Sequence, residues 1–159
     1  MDNQTSTTSN QYLKTKVMTA SPEELQMMLY DGAIRFAQQA RQSIVDKEIE
    51  NSYKLLTKTQ KIVLELSNSM RDEISPETCA QMRALYLYCY ERLVTANMSR
   101  DIEPLDEAIK ILIHIRETWC MLMDKLKEER GQEQENLAMS QFNSELAAMG
   151  VGSSFSCDG

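Results

Sequence analysis

The residues that decide the fold are Ser21-Pro22-Glu23-Glu24, because they combine three signals for the start of a helix. Ser21 offers a hydroxyl N-cap, Pro22 takes the first helical position, where its missing N–H is harmless, and Glu24 closes a capping box. Apolar or small residues then recur every three or four positions: Leu25, Met28, Leu29, Gly32, Phe36, Ala40 and Ile44. This spacing predicts a helix from Pro22 to about Val45.

Three further helices are predicted along the chain by similar signals. We expect Asp46 to cap the second helix, and Ser75-Pro76-Glu77 repeats the start signal for a third helix that stops near Asn97. Asp101 is expected to cap the fourth helix, which extends to about residue 130. The connections are only a few residues long, so consecutive helices must reverse direction. The sequence therefore predicts an all-α fold, an antiparallel up-down-up-down four-helix bundle over residues 21–130.

The segments on either side of the predicted bundle differ from it in composition. Residues 1–20 are expected to form a flexible N-terminal arm, because the first eleven are almost all Asn, Gln, Ser and Thr. Residues 131–159 form an acidic, partly flexible C-terminal extension with four acids and no Lys or Arg. Within it, Met139, Phe142, Leu146 and Met149 have the spacing of a short amphipathic helix. One hypothesis is that this apolar stripe occupies a binding groove of the bundle when no partner is bound.

Charge and composition exclude several classes of protein. The formal net charge of −7 argues against binding to nucleic acid, which requires Lys and Arg to neutralise phosphates. Charged residues interrupt every apolar stretch, so we expect no membrane insertion, and the polar N-terminus lacks the apolar core of a signal peptide. The four cysteines form no CxxC pair and are expected to be reduced and mostly buried. A cytoplasmic protein is the expectation.

The sequence also lacks the residues that most catalytic sites need. With one histidine, His114, neither a di-iron site nor a typical zinc site can be assembled. Helical periodicity places His114 away from the apolar seam of the fourth helix, and no glycine-rich loop for phosphate is present. We therefore expect no catalytic residue, no metal and no cofactor, and a binding protein rather than an enzyme.

Two features of the predicted helices exceed what a self-contained bundle needs. The second helix has a doubled apolar face that includes Leu55, Leu56, Ile62 and Leu66. The third carries Tyr86 and Tyr90 one turn apart, beside the seam that contains Leu93. Tyrosine suits a surface that is covered in one state and wet in another. The alternative is that these residues simply widen the core, and the pattern leaves both interpretations open.

Four stretches of the chain together resemble the flagellin export chaperone family, FliS. They are Thr19-Ala20-Ser21-Pro22-Glu23-Glu24-Leu25 with Met28 to Phe36, Leu55 to Val63, Leu85 to Asn97, and Arg116-Glu117-Thr118-Trp119. The resemblance implies a cytoplasmic chaperone that binds the disordered C-terminal segment of flagellin, prevents premature polymerisation and delivers flagellin to the flagellar type III export gate. A helical adaptor for a different helical or regulatory partner is the alternative.

The resemblance also implies candidate site residues. Gln60 joins Leu55, Leu56, Ile62, Leu66, Tyr86, Tyr90 and Leu93 as candidates for flagellin binding. The family's arm covers part of the groove when it is empty, and Tyr12, with Val17, is a candidate for contact with the export gate. Two departures from the family pattern, Thr59 and Glu91, are expected to retune the groove. The oligomeric state stays open.

Overall fold

The computed structural model describes residues 3–70 and 76–150, with side chains from residue 6 onward, and every described element is a helix. In chain order the helices are α1 (Asn3–Thr19), α2 (Pro22–Val45), α3 (Ile49–Asn68), α4 (Pro76–Ser99) and α5 (Ile102–Ala148). The prediction of an all-α protein is confirmed, and the count is five helices.

The start of α2 follows the predicted capping pattern. The Ser21 hydroxyl accepts a hydrogen bond from the Glu24 backbone N–H at 3.2 Å, and the Glu24 carboxylate accepts one from the Ser21 N–H at 3.0 Å. Two donors that a helix end would otherwise leave unpaired are therefore satisfied. At α5, the Asp101 carboxylate accepts from the Glu103 N–H at 3.1 Å, so the predicted cap of this helix is also confirmed.

Other predicted ends of helices are wrong by a few residues. Asp46 is the C-cap of α2 rather than the N-cap of α3, which begins at Ile49 after Glu48. The Asp46 carboxylate accepts from the Gln42 side chain at 3.0 Å, one turn back along α2. Helix α4 continues two residues beyond Asn97, to Ser99. The expected N-cap Ser75 lies outside the described residues.

The flanking segments are more helical than their composition predicted. Residues 3–11 lie in α1, although a disordered arm was expected there. No Gly or Pro interrupts α1. Threonine hydroxyls of α1 donate hydrogen bonds to backbone carbonyls one turn earlier, and Thr15 Oγ1, for example, donates to the Gln11 carbonyl at 2.9 Å. Helix α5 runs through Gly131 to Ala148, because one glycine costs only about 1 kcal/mol in a helix interior.

The chain divides into two compact units, residues 1–119 and 120–159. In the first, which we call the helical unit, α2, α3, α4 and the first part of α5 all contribute side chains to one core. Large core residues such as Tyr30, Leu56 and Leu112 pack there with the small residues Ala33 and Ala37. Small side chains on α2 let neighbouring helices approach closely, since a well-packed interior tolerates no large voids.

Ion pairs tie α2 to α5 outside the core of the helical unit. Arg41 Nε donates to Asp106 Oδ1 at 2.7 Å, and Arg116 pairs with Asp31. The carboxylate of Asp106 raises the pKa of Arg41 through its hydrogen bond and its charge. Arg41, late in α2, pairs with Asp106, early in α5, whereas Asp31, earlier in α2, pairs with Arg116, later in α5. The two helices therefore run antiparallel.

Candidate binding surface

Five of the eight candidate flagellin-binding residues are buried in the core of the helical unit. The exposed fractions are 9% for Leu55, 1% for Leu56 and Tyr86, and 0% for Leu66 and Leu93. A side chain enclosed to this extent presents no area to a partner. In this structure the five therefore widen the core, as the alternative interpretation predicts, and their assignment to flagellin binding stays a prediction.

Tyr86 is held in the core by a hydrogen bond that the sequence pattern does not predict. Its hydroxyl lies 2.5 Å from the hydroxyl of Tyr30 on α2, and Gln26 Nε2 donates to Tyr30 at 3.1 Å. Tyr30 is 1% exposed and lies on a face with Ala33, Ala37 and Ala40. That face packs inward, whereas Leu25 and Met28, at the start of the predicted stripe, are only half-buried. The run of small residues at helical spacing was the signal for it.

Two titratable groups of α4 are kept neutral by their surroundings. Burial, together with the hydrogen bond between its hydroxyl and that of Tyr30, raises the pKa of Tyr86 far above its usual range. Burial raises the pKa of the Cys89 thiol to about 12, and Cys89 Sγ lies 3.7 Å from the Ala108 carbonyl oxygen. A thiol with so high a pKa is a poor nucleophile at neutral pH. Tyr86 and Cys89 therefore have a structural role.

The other three candidates, Gln60, Ile62 and Tyr90, are half-buried. Ile62 lies against α2, where its Cδ1 is 3.6 Å from the position that a Cβ on Gly32 would take. One turn along α2 from Gly32, Phe36 is half-buried beneath two cations. Lys58 Nζ lies 5.3 Å and Arg35 Cζ lies 5.2 Å from the centre of its ring. The junction of α2 and α3 is therefore an accessible apolar strip with a cationic edge.

Further exposed apolar side chains lie on other faces of α3 and α4. On α3, Tyr53 and Leu64 are 60% and 42% exposed and share one helical face with Gln60. On α4, Leu87 is 58% exposed and lies on the face of Tyr90. We call Gln60, Leu64, Leu87 and Tyr90 the α3–α4 surface, whereas Ile62 lies on the opposite flank of α3, against α2. Its apolar members lie at the rim of a packed core, as in many protein interaction sites.

The two departures from the family pattern have different consequences. Thr59 is fully buried, and its Oγ1 donates to the Leu55 carbonyl at 2.9 Å, so it does not reach a binding surface. The expectation that Thr59 retunes a groove is therefore wrong. Glu91 is exposed on α4, next to Tyr90, so its carboxylate is available at the α3–α4 surface.

The two residues assigned to the N-terminal arm both lie on α1 with their side chains in solvent. Tyr12 is 71% and Val17 is 43% exposed. An arm that covered the groove would bury such residues, so this structure does not have the covered arrangement expected for the empty family groove. Both side chains are accessible to a partner.

The helical extension of the second unit also exposes apolar side chains. Leu137, Met139, Phe142 and Met149 are between 56% and 71% exposed, and Leu146 is half-buried. The last turns of α5 therefore contain Met139, Phe142 and Leu146 of the expected helix, whereas Met149 follows the end of α5 at Ala148.

The described part of the chain contains no cluster of three or more His, Cys, Asp or Glu side chains that could hold a metal ion. His114 is exposed on α5. Within the same described ranges, no helix has both the length and the apolar character to cross a membrane.

Comparison with known proteins defines the class to which this helical fold belongs. The family model described as flagellar protein FliS matches residues 5–128. The chain is 34% identical over 119 residues to the flagellar secretion chaperone FliS of Bacillus subtilis (strain 168), covering 75% of this chain and 88% of that relative. It is 29% identical over 114 residues to the protein of the same name from Salmonella typhimurium (strain LT2), covering 71% and 84%.

These matches place the chain among the flagellar secretion chaperones, proteins of flagellum biogenesis and export. The chain belongs to the FliS family. The resemblance noted in the sequence is thereby confirmed, and the matched range ends before the acidic extension of residues 131–159 begins.

Proposed function

We propose that this protein is a cytoplasmic export chaperone without catalytic activity that holds the disordered C-terminal region of flagellin. In this role it prevents premature polymerisation and delivers flagellin to the flagellar type III export gate. Membership of the FliS family is the observation that carries the proposal. The apolar α3–α4 surface, which the core leaves partly exposed, supports it.

The scaffold in this proposal is an antiparallel four-helix bundle made of α2, α3, α4 and the first part of α5. Two contacts between α2 and α3 support this antiparallel arrangement. Ser43, late in α2, accepts from Asn51, early in α3, at 2.7 Å. Gly32, earlier in α2, lies against Ile62, later in α3. These two contacts imply that α2 and α3 run in opposite directions, as α2 and α5 do.

The energetics of holding a disordered segment favour a long and shallow surface. Ordering about 20 flagellin residues costs roughly 20 to 40 kcal/mol in backbone entropy. Burial of about 2,000 Å² of apolar surface contributes about 50 kcal/mol at about 25 cal/mol/Å². Since affinity is the small difference between these terms, several modest contacts must act together. The α3–α4 surface offers such contacts without disturbing the core.

The proposed site differs from the set of residues expected from the sequence. It keeps Gln60 and Tyr90, with Ile62 at the junction of α2 and α3, and adds Leu64 and Leu87, which are exposed. The apolar side chains of flagellin would cover these residues, and the exposed cation Lys58 above Phe36 would attract its acidic groups. We assign contact with the export gate to Tyr12 and Val17, whose exposure on α1 supports that role.

A helical adaptor for another helical or regulatory partner is the second candidate, and the exposed apolar residues of α5 support it. Such an adaptor would bind a folded partner and ignore a disordered flagellin segment.

A pull-down with the organism's own flagellin separates these two functions. The immobilised chain is expected to retain full-length flagellin and to lose it when the C-terminal segment of flagellin is removed. Equal retention of both flagellins, or of neither, would contradict the proposed function. The Tyr90→Asp variant should retain less flagellin, whereas Lys110→Gln, on an exposed position of α5, provides a control.

A further inference from the structure

A cavity of about 350 Å³ lies where two helix connections of the helical unit meet. The connection from α2 to α3 contributes Lys47, and the connection from α4 to α5 contributes Arg100. The ends of α2 and α3 complete the lining with Ser43, Ile44, Ile49 and Ser52. Its volume is within the range of sites that bind small ligands or single side chains.

The two cations stand at backbone positions that favour glycine. Lys47 has φ 59° and Arg100 has φ 53°, both in the left-handed region. At Lys47 the backbone forms a Schellman motif, in which the Glu48 N–H donates to the Ser43 carbonyl at 2.8 Å and the Lys47 N–H to the Ile44 carbonyl at 3.1 Å. Glycine is the usual residue there, because other residues pay about 1–2 kcal/mol for this conformation. Two long cations thus occupy costly positions beside one cavity.

Neither cation is neutralised by the protein. No carboxylate lies within 4.0 Å of Lys47 Nζ or of the Arg100 guanidinium in the described parts of the chain. The nearby acids have other partners: Asp46 accepts from Gln42, Glu48 from Asn51, and Asp101 from the Glu103 N–H. Neither cation therefore forms an ion pair with these acids, although their carboxylates remain charged close by.

The rest of the cavity lining is apolar or already hydrogen-bonded. Ile44 is half-buried and Ile49 is 52% exposed. The Ser43 hydroxyl accepts from Asn51 at 2.7 Å and donates to Glu48 Oε2 at 3.5 Å, and the Ser52 hydroxyl donates to the Ile49 carbonyl at 2.8 Å. The cavity therefore combines an aliphatic wall with two unpaired cations. A matching ligand carries a carboxylate next to an aliphatic group.

We propose that this cavity binds the C-terminal residue of the flagellin chain. The free α-carboxylate lies between Lys47 and Arg100, and the terminal side chain packs against Ile44 and Ile49. Only a terminal residue offers both groups on one α-carbon, since Asp or Glu within a chain leaves the aliphatic wall uncovered. This inference rests on the proposed function and adds the point at which the flagellin segment ends.

Another role for the two cations is stabilisation of the C-terminal ends of α2 and α4, where cations interact favourably with the helix dipole. That role requires no bound ligand. Replacing the cations would then lower the stability of the protein without changing its affinity for a free carboxylate relative to an amide.

The test compares two forms of one fluorescent peptide, the C-terminal segment of the organism's flagellin ending in a free acid or in an amide. Binding to the full chain is followed by fluorescence anisotropy. The free acid should bind about five- to tenfold more tightly, because charge-assisted hydrogen bonds are lost in the amide. The preference should shrink in about 1 M NaCl, which screens exposed charges.

The matched variant is Lys47→Asn with Arg100→Asn, because asparagine tolerates the left-handed conformation and removes only the charge. This variant should bind the acid and the amide equally. The control Lys110→Gln with Lys125→Gln removes two charges from exposed positions of α5 and should keep the preference for the acid.

Equal binding of acid and amide to the unaltered protein would overturn this inference while leaving the proposed function intact. Equal weakening of both peptides by the double Asn variant would also overturn it, since a general charge effect would then suffice. If neither peptide binds, the proposed function fails together with the inference.

Discussion

The hydroxyl oxygens of Tyr30 and Tyr86 lie 2.5 Å apart in the core and join α2 to α4. Tyr30 has a second partner in Gln26, whereas among residues 3–70 and 76–150 the only hydrogen bond of Tyr86 is the one it shares with Tyr30. Tyr30→Phe would therefore leave a buried hydroxyl without a partner, and Tyr86→Phe would not. The two substitutions should differ in cost although each removes one oxygen atom.

We expect Tyr86→Phe to lower the free energy of unfolding by about 0.5–1.5 kcal/mol and Tyr30→Phe by about 1–3 kcal/mol. The double variant should cost less than the sum, because it leaves no unpaired hydroxyl. Urea denaturation of the four proteins measures these values. Additive costs would show that the two hydroxyls do not interact.

Lys47→Gly should stabilise the protein. The Schellman motif requires a positive φ at this position, and glycine adopts it without the steric cost that lysine bears. Since glycine also makes the unfolded chain more flexible, the net gain should be about 0.5–1 kcal/mol. Thermal unfolding measures it, with Lys47→Ala as the control that removes the charge but keeps the strain. A gain shared by both variants would assign the effect to charge instead.

Alkaline pH should destabilise the protein through Cys89. Its pKa is about 12 in the folded state, whereas the thiol of the unfolded chain titrates near 9. Above about pH 9 the unfolded state releases a proton that the folded state keeps, so stability falls as the pH rises. Between pH 8 and 10 the unaltered protein should lose about 1 kcal/mol more than Cys89→Ala. Equal losses in the two proteins would contradict the assigned burial of the thiol.

The helix through Gly131 gives a further prediction. A Cβ at Gly131 would meet no atom within 4 Å, and the residue lies in the interior of α5. Gly131→Ala should therefore increase helicity by circular dichroism, since alanine favours a helix by about 0.5–1 kcal/mol over glycine. Gly131→Pro should decrease it. If neither Gly131→Ala nor Gly131→Pro changes the circular dichroism signal, the helix does not continue through this residue.

The sequence predicted the elements whose signals are local. The capping box at Ser21 and the spacing of apolar residues defined α2, and short connections implied antiparallel neighbours. It could not tell which flank of a broad apolar face packs inward, because several adjacent stripes of α2 and α3 satisfy the same periodicity. Tyr30 and Ala33 were missed for this reason, and Leu55 and Leu66, which were assigned to a binding surface, are buried in this structure.

The flanking helices were mispredicted for a different physical reason. Composition indicates whether a segment can bury apolar area, but a helix satisfies its backbone hydrogen bonds without any burial. Residues 3–11 and the turns after Gly131 contain no proline, and a single glycine is too weak an interruption to end α5. Polar composition alone therefore could not locate the ends of α1 and α5.

The central claim is that flagellin binds the exposed α3–α4 surface rather than the core residues. Isothermal titration of the C-terminal flagellin segment into Tyr90→Asp and Leu64→Asp tests it most directly, with circular dichroism as the check on folding. Both variants should remain helical and bind at least about tenfold more weakly, whereas Tyr86→Asp should unfold, because it buries an unpaired charge. Unchanged affinity in both folded surface variants would contradict the claim.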